Sequence, residues 1–104
     1  MTPEKWFAYP RYQQILSIAN ELNRAQNALI RGDHDNAVHA WERAFELTDL
    51  TIEAHLSETL LIDLLRFREN LGEIFTTQDA IAHKQLITTL IGLDEIAGEL
   101  IDNG

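Results

Sequence analysis

Cysteine is absent from the 104 residues, which removes disulfide scaffolds, thiolate zinc sites and cysteine nucleophiles together. Proline occurs twice and glycine five times, so there is no Pro/Gly-rich linker, no low-complexity tract and no glycine-rich phosphate loop. Basic side chains are also scarce, 8 against 17 acidic for a formal charge of -9. That balance opposes phosphate backbones and anionic lipid surfaces, so neither nucleic acid nor membrane is an expected partner. No apolar run approaches the roughly 18 residues that a membrane span needs. Met1-Thr2-Pro3-Glu4-Lys5 lacks the basic stretch and apolar core of an export signal. A soluble, unexported cytoplasmic protein is expected.

What is present is ordinary globular material, 45% apolar and 24% charged, enough for one domain over residues 1–104 with one core. Thr2-Pro3-Glu4 reads as a helix start, with Pro3 at a position where its missing N–H costs nothing. Pro10 disfavours helix at Tyr9. From Arg11 onward Tyr12, Ile15, Leu16, Ala19, Leu22, Gln26 and Leu29 recur at three- and four-residue steps. Gly32 can close that helix in the left-handed conformation, and Asp33 or Asp35 can cap the next. The second helix carries Val38, Trp41, Phe45 and Thr48 and runs to about Leu50, with Thr48, Thr51 and Ser57 as restart caps. A third carries Leu60, Leu64, Phe67, Leu71 and Ile74, its first half widened by Leu61, Ile62 and Leu65. Thr76-Thr77-Gln78-Asp79 then opens a fourth, with Leu86, Leu90, Leu93, Ala97 and Leu100 on one face and Ile87, Ile91 and Ile96 outside it. The predicted fold is all-α, an antiparallel bundle of about four helices after a short N-terminal helical turn.

The last helix stands out. Its isoleucines stretch the apolar arc to about twice what one core contact needs, while Gly92 and Gly98 each weaken a helix interior by about 1 kcal/mol. Leu86, Ile87, Leu90, Ile91, Leu93 and Ile96 are therefore the candidate partner-binding residues. The acidic side chains beyond Lys84, Asp94, Glu95, Glu99 and Asp102, favour a basic or amphipathic protein partner there. Surplus apolar surface also suits self-association, and a homodimer is expected.

Chemistry is harder to find. Glu42, Glu46, Asp49 and Glu53 would line one face of an unbroken helix, a row able to hold a divalent cation through oxygen but more often a solvated face. His34, His39, His55 and His83 match neither the Glu-x-x-His pairs of di-iron bundles nor a zinc motif, and no Gly-x-Ser-x-Gly turn occurs. Trp41 and Phe45 read as core, whereas Trp6 and Phe7 either cap one end of the molecule or meet a second subunit. The stretch Glu58 to Leu71 looks like the second metal-binding helix of the all-helical nucleoside-triphosphate pyrophosphohydrolases. That family is expected to hold magnesium with a Glu-x-x-Glu pair and a Glu-x-x-Asp or Glu-x-x-x-Asp pair. This chain offers Glu42-x-x-x-Glu46 and Glu58-x-x-x-x-Asp63. No enzyme and no cofactor is expected, with this reading as the alternative.

From Tyr12 to Leu100 the chain resembles small flagellar export chaperones of the FliT type. The likeness lies in the leucine-rich helix, the hairpin turn Gly32-Asp33-His34-Asp35, the second amphipathic helix and the closing stretch Leu86 to Ile96. His34 stands where that family's turn has tryptophan. The resemblance implies a cytoplasmic chaperone that shields an aggregation-prone export substrate and uses its last helix to cover or uncover the binding surface. A structural homodimeric bundle accounts for the same residues.

Overall fold

A computed structural model describes residues 1–54 and 56–103, and each helix in it begins or ends where side-chain chemistry favours it. Helix α1 (Pro3–Ala8) is capped by Thr2, whose hydroxyl accepts from the Lys5 N–H. Helix α2 (Arg11–Ile30) follows Pro10. It closes at Gly32, whose φ of +76° is the left-handed conformation that suits a residue without Cβ. Asp33 caps α3 (His34–Ile52), and Ser57 caps α4 (Glu58–Thr77). The Asp79 carboxylate accepts from the N–H groups of Ile81 and Ala82 to open α5 (Ala80–Ile91). In the same way Asp94 accepts from Ala97 at 2.9 Å in the first turn of α6 (Glu95–Asn103).

The fold is all-helical, with six helices and no strand among the described residues. The segment expected to form one final helix is divided at Gly92, and this re-aims its apolar residues. Ile87 turns inward while Leu100 turns outward. Ser57 is the restart cap after α3. Thr48 and Thr51 instead lie buried inside α3, their hydroxyls donating to the carbonyls of Ala44 and Leu47 one turn back.

The largest helix–helix contact is between α2 and α3. Buried alanines are frequent on both helices, with Ala25 and Ala28 of α2 and Ala37, Ala40 and Ala44 of α3 all buried. Alanine has the highest helix propensity and the smallest side chain that still buries a methyl group, so it allows the two axes to approach closely. Gln26, Val38 and Phe45, expected on the apolar stripes, are half-buried. Besides α3, α2 packs on α5 and α6, while α4 packs on α3 and α5. Leu64, Phe67, Leu71 and Ile74 of α4 are buried as the periodicity predicts. Ile62 and Leu65, which widen the apolar surface of the first half of α4, remain 44% and 48% exposed. The radius of gyration, 13.2 Å, is that of a well-packed chain of this length, about 13 Å.

Six residues are too few for an isolated helix to persist in water, and α1 is held from outside. Trp6 is buried and donates its indole N–H to Thr51 Oγ1 at 2.9 Å, joining α1 to α3. Gln14 Nε2 donates to the carbonyl oxygens of Trp6 (2.9 Å) and Tyr9 (3.3 Å), satisfying groups the helix end leaves free. Trp6 thus caps one end of the molecule, and Phe7 stays 43% exposed.

Trp41 is fully buried, with edge-to-face contact to Phe75 at 5.5 Å. Trp41→Ala should cost about 3 to 5 kcal/mol in urea unfolding, because transfer and cavity terms are both lost. Phe7→Ala should cost under about 1 kcal/mol.

Candidate functional site

The outer side of α5 carries an open, largely apolar groove. Its inner side buries His83, Leu86, Ile87 and Leu90. On the outer side Ala80, Ile81, Lys84, Gln85, Thr88 and Thr89 join Gln26 of α2 around a groove of about 830 Å³. The Thr88 and Thr89 hydroxyls donate to the carbonyls of Lys84 and Gln85, so their polar demand is met within the helix and the floor is largely hydrocarbon. Ile81 is 73% exposed, and Ile30, one turn beyond Gln26 on α2, is 77% exposed. These are the two most exposed large apolar side chains of the described residues. Two such ridges beside a groove suit the apolar face of another helix.

A second apolar face lies on α6. Ala97 is buried and α6 packs on α2, but Ile96, Leu100 and Ile101 face outward, each about half exposed. Neither glycine near this helix is needed for close packing. A Cβ on Gly98 would meet nothing nearer than the Ile91 carbonyl at 3.9 Å, and one on Gly92 would make ordinary contacts at 3.5 Å. Gly98 therefore loosens α6 without serving its packing.

Of the six residues singled out from sequence, Leu86, Ile87 and Leu90 lie in the core, Ile91 and Leu93 are half-buried against it, and Ile96 is exposed. The structure does not bring them onto one surface, because the break at Gly92 separates the first four from Ile96. Periodicity did not identify Ile30 and Ile81. Their signal was available, since both stand outside the apolar stripe of their own helix.

The carboxylates Glu42, Glu46, Asp49 and Glu53 run along α3 with Glu42, Glu46 and Glu53 exposed. Asp49 is held by Arg68 of α4, which donates from Nε and Nη2. That contact raises the Arg68 pKa above its ordinary value. Arg68 also lies over the Phe45 ring, 5.5 Å from its centroid. Among the described residues no three His, Asp or Glu side chains converge as a metal site requires. His34 and His39 are exposed, and His55 lies outside the described residues.

His83 has a different place. It is buried, and its Nε2 accepts the Trp41 indole N–H at 3.2 Å. The accepting nitrogen carries no proton, so that of the neutral ring sits on Nδ1, which is buried without a partner. Comparison with family models, curated proteins and solved structures found no match to this chain.

Burial holds the His83 imidazole below its ordinary pKa, since the charged ring would lose its hydration. The unfolded chain takes up that proton near pH 6.5, the folded chain only at lower pH. The stability this group contributes is fully present above about 6.5 and is lost as the pH falls toward the depressed folded value. Unfolding free energy should fall as the pH is lowered from about 7.5 to 5.5. His83→Gln, which keeps an acceptor but cannot titrate, should flatten that slope.

Proposed function

We propose that the protein is a protein-binding helical module without catalytic activity. Its frame is an antiparallel four-helix bundle of α2 to α5, with α1 and α6 as accessory helices. The observation that carries the reading is the apolar surface left open on a chain of this size: the groove along α5 with Ile30 and Ile81, and the outer face of α6. Helices of a partner bury apolar ridges in such places. The loosened α6 supports a device in which a terminal helix docks reversibly and competes with the partner, as the likeness to cytoplasmic FliT-type export chaperones implies. Self-association through the same faces as a homodimer belongs to this proposal. No helix among the described residues is long and apolar enough to cross a membrane.

Hydrogen exchange should find α6 opening before α3. Removal of the chain from Asp94 onward should increase the capture of partner proteins from the native host, because the competing intramolecular contact is gone. Gly98→Ala should stabilise α6 by about 1 kcal/mol and decrease capture. Equal exchange protection in α6 and α3, or unchanged capture by a folded truncation, would reject the covering role. Sedimentation should show a concentration-dependent dimer that Ile81→Asp or Ile96→Asp dissociates. Magnesium-dependent pyrophosphate release from a nucleoside triphosphate, abolished by Glu46→Gln or Glu58→Gln, would overturn the non-enzymatic reading.

A further inference from the structure

The α2–α3 seam carries a second feature, of opposite character to the groove. Near the Gly32 turn a cleft of about 280 Å³ opens between the two helices, and Arg24, Arg31, Arg43, His39 and Asn27 line it. Three of the chain's 8 basic side chains meet there, although the whole chain carries a net charge of -9. One carboxylate, Glu21, belongs to the lining: its Oε1 accepts from Arg24 at 3.2 Å, and its Oε2 is buried without a hydrogen-bond partner. Asp33, close to Arg31, is already engaged by the side-chain amide and backbone N–H of Asn36. Among the described residues Arg31 and Arg43 enter no ion pair.

We infer that this cleft binds a small, doubly charged oxyanion, a phosphate group either free or carried on a small carbon skeleton. Two guanidinium groups without ion-pair partners, one at the C-cap of α2 and one on α3, supply forked donors of the kind that bind the oxygens of a tetrahedral dianion. Arg24, steadied by Glu21, adds a third cation, and Asn27 adds an amide. The volume suits a group of this size. The acidic remainder of the molecule repels extended polyanions at long range, so nucleic acid does not follow from the same residues.

The test is a titration of the full chain at constant ionic strength, followed through backbone and arginine Nε–Hε resonances. Inorganic phosphate and glycerol 3-phosphate are the probes, and acetate and chloride the controls. Saturable shifts should appear at Asn27, Arg31 and Arg43 with both phosphates and with neither control. Tighter binding of the ester would identify a carried phosphate, and equal binding the free ion. The double variant Arg31→Gln and Arg43→Gln should lower affinity by about tenfold or more with helicity unchanged. Arg31→Gln alone, at an exposed helix end, serves if the double variant loses helicity. Shifts that never saturate, that acetate reproduces, or that survive loss of Arg31 would overturn the site.

Discussion

An indole N–H buried among apolar side chains has to find an acceptor, and the Trp41–His83 hydrogen bond supplies it across the core. It ties α3 to α5, helices separated in sequence by the whole of α4. Leaving that donor unpaired would cost about 1 to 3 kcal/mol, so the hydrogen bond reinforces the rotation of α5 that burial of Leu86, Ile87 and Leu90 on the same face favours. With that rotation set, Leu86, Ile87 and Leu90 enter the core and Ile81, Lys84 and Thr88 face outward. The open groove lies on the opposite side of the helix that this contact helps to anchor. The contact also requires a neutral imidazole, which makes anchoring of α5 sensitive to acid.

Elsewhere the molecule combines a tight half with a loose one. The alanine-rich helices α2 and α3 make the largest contact, and Trp6, Thr51 and Gln14 pin α1 to their far end. Their polar groups are satisfied inside the fold. On the other side α4 and α6 leave isoleucines and leucines outside, and α6 includes a glycine that no packing demands. Side chains that would rather leave water, on an element of low helix propensity, are what a reversible contact needs.

Charge is unevenly distributed as well. The acidic row of α3 lies in solvent, with Asp49 taken up by Arg68, an exposed pair worth little in stability. Arg24, Arg31 and Arg43 instead gather at the hairpin end of the α2–α3 seam. Gln26 on the groove side and Asn27 on the cleft side are consecutive residues of α2, so the apolar and the basic feature sit side by side around one helix.

Helical periodicity, the two prolines, Gly32 and the capping residues Asp33, Ser57 and Asp79 act over a few residues, which is why the all-helical class and most helix boundaries are legible in the sequence. The burial of Trp41 and of the α4 face was legible for the same reason, since a stripe at 3.6-residue spacing must face something. Other features depend on partners far along the chain. His83 reads as one of four scattered histidines until α5 is laid against α3, and Thr51 reads as a helix restart until Trp6 reaches it. The alanines carry little hydrophobic signal alone, and their burial shows only when the helices are packed. Gly92 could be read as a weakness within one helix, and only the tertiary structure shows the chain breaking there, with Ile87 of α5 and Ala97 of α6 both buried.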